Sequence, residues 1–339
     1  QPYFTVATEF TNIQEALELD QLEQILAPMA RRIVTDIETD LGGYMMKNAS
    51  LRYGAHGVFA DAWTDIAGAG ALLDSIGVPP EADKFYVMNP FTATKLASAQ
   101  NGLNASDGLV RTAWENSQIS ANFGGLRALT SQSLNTFTSG TGADRAGTLS
   151  AAPNATYLAA KDTMTQSIAV AGLQAGMVVK AGDMIKIADV NRLNINSRTA
   201  MIDENGAAVH WTGVVTADVT LSGAGAGTLV VAGPAIFEAN GQYNTVDAAP
   251  ANGAVVTVLS ASNATYQPNL FYMKQAFGIG TVKLPKLYST DTIATTEDGM
   301  SIRVSKYSDG DANTQKVRFD CLPAYATFNP FMAGHGFGV

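Results

Sequence analysis

The sequence predicts an α+β fold built from one long helix, a mixed α/β domain whose sequence is interrupted, and an all-β module inserted into that domain. Three observations support this prediction. The segment from Asp20 to Asn48 keeps a helical period over its whole length. Short alternating strands separated by turn residues fill the region from about Ala155 to Leu259. A mixed helix and strand texture precedes this region and resumes after it.

Residues 1–16 begin with an alternation of Tyr3, Thr5 and Ala7 against Phe4 and Val6. This pattern predicts a strand or extended arm that leads into the long helix. Since no upstream segment is at hand to pair with it, we expect its partner elsewhere in the chain or in another chain.

The long helix has an apolar face whose residues recur at steps of three and four. These residues are Leu22, Ile25, Leu26, Met29, Ile33, Ile37, Leu41 and Tyr44. Charged residues occupy the opposite face, namely Glu23, Arg31, Arg32, Asp36, Glu38 and Asp40. Such a helix is about 40 Å long, which is the span of a small domain. We expect a kink near Pro28 and a loosening near Gly42, because proline and glycine weaken a helix interior.

The mixed region from Asp61 to Leu134 predicts three helices and two strands. Residues 60–78 are typical of a helix that ends at Gly77, and residues 84–90 of a short buried strand. Helices are further predicted near 91–100 and 107–119, and a turn followed by a strand near 123–132.

The β-module shows no helical period, and Asn205-Gly206 within it is a hairpin signal. The tetrapeptide Asn-Ala-Thr-Tyr occurs at 154–157 and again at 263–266, at either end of the module. We interpret this repeat as the matching entry and exit strands of an insertion. After Gln267-Pro268 the mixed texture resumes, and residues 299–322 predict an antiparallel hairpin.

Composition bounds the class of protein. A chain of 339 residues with 46% apolar content is expected to fold as two domains or more. Only 15% of the residues are charged and the net charge is -9. A surface so poor in charge favours burial against other subunits, with a bland extracellular or bacterial protein as the alternative. The single cysteine, Cys321, excludes a disulfide framework.

No targeting or membrane segment is recognisable in the sequence. No apolar run reaches transmembrane length, and no signal peptide is visible. The first residue is Gln1 rather than methionine, which is compatible with removal of an N-terminal segment.

The residue patterns of known catalytic and metal sites are not found. His56, His210 and His335 are far apart in sequence and have no partner at metal-ligand spacing. The glycine-rich residues 223–228 lack the lysine of a phosphate loop and precede a predicted strand rather than a helix. We therefore expect no enzyme activity, no cofactor and no metal.

Two carboxylate groupings allow a second interpretation. Asp309, Asp311 and Asn313 alternate like calcium ligands, but a hairpin turn explains them without calcium. Asp36 and Asp40 are either solvated or paired with Arg31 and Arg32. The acidic balance argues against a dedicated DNA-binding protein, which needs clustered lysine and arginine.

With these features the chain resembles the major capsid proteins of tailed bacteriophages, and more narrowly the coat-protein family of short-tailed phages typified by phage P22. Segment 21–48 stands where that family has its spine helix, residues 1–10 where its E-loop returns, and residues 61–64 where its apical domain opens. The most specific similarity is segment 180–188, KAGDMIKIA, which resembles the K-x-G-D turn of the family's inserted β-barrel. Asn89-Pro90, Cys321 and the closing strand through Phe331 fall in the expected places.

The resemblance implies a tailed-phage capsid fold of the Hong Kong 97 type, also called the Johnson fold. It has a long spine helix, peripheral and apical domains, and an inserted all-β barrel-like domain. The implied division begins with an E-loop remnant (1–16), the spine and peripheral segment (17–60) and the first apical part (61–150). The inserted domain (151–267), the second apical part (268–317) and a C-terminal peripheral strand (318–339) follow.

The implied function is self-assembly, as pentamers and hexamers, into an icosahedral shell that encloses packaged double-stranded DNA without sequence specificity. The implied partners are scaffolding protein, a portal protein and, as an option, decoration proteins, with no membrane. The shell would be assembled in the bacterial host cytoplasm and form part of the virion. The alternative is a surface or secreted β-rich protein that binds carbohydrate, for which Trp211 and Tyr243 are the available aromatic residues.

The candidate intersubunit residues come from two places. On the spine helix they are Arg31, Arg32, Asp36 and Asp40. The family's inserted domain also projects a long acidic loop toward a neighbouring capsomer, and this loop is shortened here to about 159–165. Lys161 and Asp162 are its candidates in this sequence.

Overall fold

The computed structural model describes residues 3–11, 22–101, 107–117, 119–153, 155–297 and 299–336. The helices are α1 (Leu22–Asn48), α2 (Trp63–Ile76), α3 (Pro90–Asn101), α4 (Asp107–Asn116) and α5 (Tyr157–Ala160), with 3₁₀ turns at Lys274–Ala276 and Pro330–Met332. The strands up to the start of the β-module are β1 (Phe4–Thr11), β2 (Leu51–Arg52), β3 (Lys84–Met88), β4 (Asn122–Phe123), β5 (Leu126–Thr130), β6 (Phe137–Thr138) and β7 (Ala146–Leu149). Those that follow are β8 (Thr165–Ala171), β9 (Val178–Val179), β10 (Met184–Asn191), β11 (His210–Val215), β12 (Val219–Thr220), β13 (Gly227–Ala232), β14 (Val255–Val258) and β15 (Thr265–Tyr266). The last are β16 (Asn269–Met273), β17 (Phe277–Thr281), β18 (Thr292–Thr295), β19 (Ser301–Asp309), β20 (Thr314–Cys321), β21 (Pro323–Thr327) and β22 (Ala333–Gly336).

The chain forms two compact units. The first contains Gln1–Gly42 and Phe277–Ala326, and the second contains Gly43–Ala276 and Thr327–Val339. These limits do not coincide with the predicted limits at 60/61, 267/268 and 317/318. Strand pairing explains the difference, because the hairpin β19–β20 forms a sheet with the N-terminal strand β1.

The first unit is a four-stranded sheet in the order β1-β20-β19-β18, with the two-stranded pair β17–β21. β1 is the predicted strand, and its exposure alternates along its length. Its partner is in the same chain, where Phe4 lies opposite Cys321 and Thr11 opposite Thr314. Ile33 and Ile37 of α1 are buried with Cys321, so the predicted apolar face packs on this core.

The predicted long helix is confirmed from Leu22 onward, while Asp20 and Gln21 lie outside the described residues. It continues through Pro28 and through Gly42-Gly43 without interruption, and the kink near Pro28 and the loosening near Gly42 stay predictions. Close packing explains the glycine at 43. A Cβ there would lie 2.9 Å from Nδ2 of Asn135, a contact that only glycine accommodates without displacing the amide.

The second unit contains a six-stranded sheet in the order β2-β22-β16-β3-β5-β4. β3 lies at its centre, between β5, which precedes the β-module, and β16, which follows it. The sheet is therefore discontinuous in sequence, as predicted. α2 packs on it through buried Ile66, Leu73 and Ile76, and ends at Gly77 in the left-handed conformation with φ of 112°.

The inserted module is a closed six-stranded barrel in the order β10-β11-β13-β8-β7-β14, which confirms the predicted α+β fold with an inserted all-β domain. Its first strand, β7, lies upstream of the predicted start at residue 151. The module also contains the one-turn helix α5, which the sequence did not predict. This turn forms because Thr156 caps it, accepting a hydrogen bond from the Ala159 N–H at 3.3 Å.

The interpretation of the repeated tetrapeptide is wrong. In the second copy, Thr265 and Tyr266 form β15, which pairs with β6 at the neck of the insertion. In the first copy, Asn154 lies outside the described residues, Ala155 bridges Ile236, and Thr156 caps α5. The exit strand of the insertion thus pairs with Phe137–Thr138 rather than with its sequence repeat.

Candidate functional site

The polar face of α1 carries the four predicted intersubunit residues of the helix, and the structure gives them different surroundings. Arg32 Nε donates to both carboxylate oxygens of Asp36, at 2.9 and 3.0 Å, and the Arg32 side chain is 70% exposed. Asp40 is hydrogen-bonded to Tyr325, whose pKa is raised by burial and by this carboxylate. Arg31 is exposed and forms no ion pair with the described residues. Among the described residues, the face therefore presents one internal ion pair, Arg32–Asp36, and the unpaired guanidinium of Arg31.

Lys161 and Asp162, the two predicted residues of the barrel domain, follow α5 directly and are both exposed. Beside them lie Leu158, which is 73% exposed, and Tyr157, whose ring stacks on Tyr243 with centroids 4.2 Å apart. We call these five residues the Tyr157 patch. Sequence reasoning missed its aromatic pair because the two tyrosines are far apart in the chain.

Trp211 does not contribute to any exposed aromatic surface. It is fully buried in the barrel core, and its Nε1–H donates to the carbonyl of Gly233 at 3.0 Å. Of the two aromatic residues available for a carbohydrate-binding surface, only Tyr243 is exposed.

The K-x-G-D turn builds a buried polar cluster. The Asp183 carboxylate accepts hydrogen bonds from the Lys180 backbone N–H at 2.8 Å and from the Ser260 hydroxyl, and it is fully buried. The guanidinium of Arg145 lies 4.0 Å from it. Burial raises the pKa of Asp183, against the effect of these partners. Arg145 also donates to the Gly140 carbonyl at 2.6 Å, so the cluster is joined to the segment between β6 and β7.

The three histidines differ in burial and in their partners. His335 is buried and its Nε2 donates to the Met46 carbonyl at 2.7 Å, and burial lowers its pKa to about 4. The pKa of His56 is lowered to about 3, by burial first and then by His335. His210 is exposed. Within the described part of the chain no group of three His, Cys, Asp or Glu side chains could hold a metal ion.

Turns explain the two sequence patterns that resemble ligand loops. The Ser222 N–H donates to Ala226 and the Gly225 N–H to Ser222, both at 2.9 Å, which forms a tight turn before β13. Asp309 accepts from the backbone N–H of Asp311 at 3.1 Å, as in a hairpin turn. Among the helices described, none is both long enough and apolar enough to cross a membrane.

Comparison with known proteins identifies the family. The family model described as "P22 coat protein - gene protein 5" matches residues 3–338. The chain belongs to the P22 coat protein family. This membership confirms the resemblance drawn from the sequence.

One relative of this chain, from Acyrthosiphon pisum secondary endosymbiont phage 1, is described as "Major capsid protein". It is 43% identical over 339 residues, which are 99% of this chain and 79% of the relative. Two solved structures, of Mycobacterium phage Che8 and of the capsid of cyanophage P-SCSP1u, each give a TM-score of 0.45 at 12% identity. Both alignments cover 99% of this chain. They cover 70% of the Che8 chain and 72% of the P-SCSP1u chain.

Proposed function

We propose that the chain is the major capsid protein of a tailed bacteriophage, which self-assembles into the icosahedral shell around packaged double-stranded DNA. The observation that carries this proposal is the 43% identity, over nearly the whole chain, to a phage protein described as a major capsid protein. Membership of a coat-protein family supports it further and favours a structural rather than an enzymatic role. Pentamers and hexamers, scaffolding protein, portal protein, and assembly in the host cytoplasm are parts of this proposal.

The charge of the chain suits this role. A net charge of -9 with few charged residues gives a wall that repels DNA phosphate and so lets a packaged genome slide. The low charge also favours close packing of subunits, since large repulsive fields between copies are avoided.

The spine face and the Tyr157 patch are proposed contacts between subunits. The spine face consists of Arg31, Arg32, Asp36 and Asp40. In the Tyr157 patch, Leu158 and Tyr243 are exposed, Tyr243 stacks on Tyr157, and the exposed Lys161 and Asp162 directly follow the same helical turn. The patch therefore combines apolar area with both signs of charge. Such a composition is typical of protein interfaces. The division into peripheral and apical domains likewise belongs to the proposal.

Negative-stain imaging tests the proposed function. The full-length protein, produced together with its scaffolding protein, should yield uniform icosahedral particles or hexameric sheets. A strictly monomeric protein that binds glycans would contradict the proposal and favour the carbohydrate-binding alternative. Burial of Trp211 already weakens that alternative, because stacking on sugars needs exposed rings.

A further inference from the structure

A groove of about 700 Å³ opens in the second unit between α2, the residues after β2, and the hairpin around Asn205-Gly206. Its apolar lining includes Leu72, Met201 and Ile202. Ile202 is 64% exposed, so the hairpin leaves apolar area uncovered at the edge of the groove. The volume lies in the range of about 300–1,000 Å³ that encloses a ligand the size of several side chains.

The charged lining of this groove is predominantly acidic. Asp65, Asp203 and Glu204 line it, against the guanidinium of Arg52. No ion pair to these three carboxylates occurs among the residues that the structure describes. Burial raises the pKa of Tyr53, and the charges of Glu204, Asp65 and Asp203 raise it further. The electrostatic field of these three carboxylates therefore reaches Tyr53 in the lining of the groove. We call this site the acidic groove.

Backbone hydrogen bonds hold two of the carboxylates in place. Asp65 accepts from the N–H groups of Asp61 and Ala62, both at 3.0 Å. Asp203 accepts from Asn205 at 2.9 Å and from Ala207 at 2.8 Å. The acidic groove is thus formed before any partner arrives, which lowers the entropy cost of binding.

A segment of the first unit has the complementary chemistry. Residues 282–288, Val-Lys-Leu-Pro-Lys-Leu-Tyr, place two lysines among apolar side chains, and we call them the basic loop. Val282, Leu287 and Tyr288 are 50%, 56% and 47% exposed. Lys283 and Lys286 are exposed and form no ion pair with the described residues. Exposed apolar groups beside unpaired charges are typical of a surface that another molecule covers.

The backbone of the basic loop is fixed at three points. The Val282 N–H donates to the Leu322 carbonyl at 3.1 Å. Arg303 Nη1 donates to the Pro285 carbonyl at 2.7 Å. The N–H groups of Leu287 and Tyr288 donate to Asp291 Oδ2 at 2.7 and 3.0 Å. Since the backbone of this segment is held in shape while Val282, Leu287 and both lysines are exposed, it is preorganised as a ligand.

We propose that the acidic groove of one copy binds the basic loop of a second copy of this chain. Lys283 and Lys286 pair with the carboxylates of Asp65, Asp203 and Glu204, and Leu287 packs against Ile202. Charge complementarity favours this occupant, because one surface carries carboxylates and the other ammonium groups that form no ion pair among the described residues, each beside exposed apolar area. The docking needs many copies in one particle and therefore depends on the proposed function.

Mixed disulfide cross-linking tests this docking. Ile202→Cys and Leu287→Cys are made in separate full-length chains, co-assembled, oxidised, and run on a non-reducing gel. The native Cys321 is fully buried and gives no background. We expect a dimer-sized band that appears only when both variants share a particle, at least about tenfold above either variant alone. Val255→Cys, at an exposed valine of β14 outside the groove and outside the proposed subunit contacts, replaces Ile202→Cys in the control mixture and should give no such band.

The outcomes separate this inference from the proposed function. Particles that form normally but give no cross-linked dimer would overturn the docking and leave the capsid function standing. A double variant, Ile202→Cys with Leu287→Cys, that cross-links only within single chains would assign the groove to the chain's own loop and also overturn it. If the wild-type protein forms no particles at all, the proposed function fails, and the docking fails with it.

Discussion

Arg192 Nη2 donates a hydrogen bond to the backbone carbonyl of Ser50 at 3.0 Å, and both residues are buried. The same nitrogen reaches the carbonyl of Thr212 at 2.5 Å, and the guanidinium lies 5.8 Å from the ring centroid of Phe331. Burial lowers the pKa of Arg192 to about 9, and no described carboxylate pairs with it. Since Ser50 directly precedes β2 and donates through its hydroxyl to Pro330 at 2.8 Å, Arg192 ties the barrel to the six-stranded sheet.

Removal of the Arg192 side chain should destabilise the second unit. Arg192→Ala leaves two buried carbonyls with fewer donors and creates a cavity, so we expect a loss of about 3 kcal/mol in the free energy of unfolding. Arg192→Met fills the space without the donors and should lose about 1–2 kcal/mol. Urea unfolding followed by tryptophan fluorescence, to which buried Trp211 contributes, measures both.

Arg198→Ala is the matched control for Arg192. Arg198 is an exposed arginine of the same module and donates to a single backbone carbonyl, that of Asn244, at 3.0 Å. We expect a change within about 0.5 kcal/mol. Equal losses from Arg192→Ala and Arg198→Ala would contradict the anchoring role of Arg192.

Asp320 should make the first unit sensitive to acid. Burial alone would raise its pKa, but hydrogen bonds from Arg303 and Thr5 outweigh burial and hold the pKa below the ordinary value. A lowered pKa in the folded state gives stability that is present above about pH 4 and is lost as the pH falls further. Asp320→Asn leaves the buried Arg303 without its counter-charge, and we expect a loss of about 3–5 kcal/mol at pH 7.

Thermal unfolding from pH 2 to pH 7 measures the contribution of Asp320. The Asp320→Asn variant should also lose stability less steeply below pH 4 than the wild-type protein. Glu9→Gln breaks the partly exposed pair between Glu9 and Lys316 on the same sheet, in which Lys316 Nζ and Glu9 Oε2 are 3.3 Å apart, and should change stability by less than about 1 kcal/mol. An Asp320→Asn protein as stable as Glu9→Gln would refute this role.

His335 should destabilise the second unit at mildly acidic pH. Its pKa is about 4 in the folded protein, against about 6.5 when unfolded, so the unfolded state takes up a proton first as the pH falls. Stability is therefore full above about pH 6.5 and decreases toward pH 4, by up to about 3 kcal/mol. His335→Gln offers an N–H to the Met46 carbonyl without titrating, and should make the stability profile less steep between pH 4 and 6.5, where His56, with a folded pKa of about 3, accounts for the remaining slope.

The control for His335 is His210→Gln, at an exposed histidine of the barrel. It should keep the wild-type pH profile of unfolding. If His335→Gln and His210→Gln give the same profile, buried His335 does not determine the acid sensitivity.

Much of this structure follows from local sequence signals. The apolar period predicted the long helix α1, and Gly77 predicted the end of α2. Asn205-Gly206 predicted a turn, and the residues on either side of it, Ile202 and Ala208, form a β-bridge. Each signal acts over a few residues, so it is readable without tertiary structure. The barrel was recognisable as β-structure for the same reason.

Long-range pairings could not be predicted from the sequence. β1 pairs with β20 about 300 residues away, and the repeat at 263–266 gave the wrong partner for the exit strand. The stacking of Tyr157 on Tyr243 and the burial of Arg192 likewise depend on how distant segments meet. Sequence periodicity reports which face of a segment is buried, but it does not report against what.

Charge reversal on the spine helix should impair assembly without unfolding the protein. Arg32→Glu breaks an exposed pair worth only about 0.3–0.5 kcal/mol, so the monomer should fold normally. If this face contacts a neighbouring subunit, the like charge placed there should reduce particle yield about tenfold or more. Sedimentation of assembly reactions measures the yield.

Arg111→Glu provides the matched control for Arg32→Glu. Arg111 forms the same kind of exposed pair one helical turn from Glu115, at 2.9 Å, on α4. The Arg111→Glu variant should leave particle yield unchanged. Wild-type yield for Arg32→Glu would count against the assignment of the spine face to an interface.

The mass of the assembled product tests the central claim most directly. Analytical ultracentrifugation of the full-length protein, after assembly with its scaffolding protein, should show a single sharp boundary in the megadalton range, far above the 35.5 kDa of this chain. The boundary should contain closed shells of uniform diameter in the electron microscope. A protein that sediments only as a monomer or a small oligomer under all assembly conditions would contradict the account.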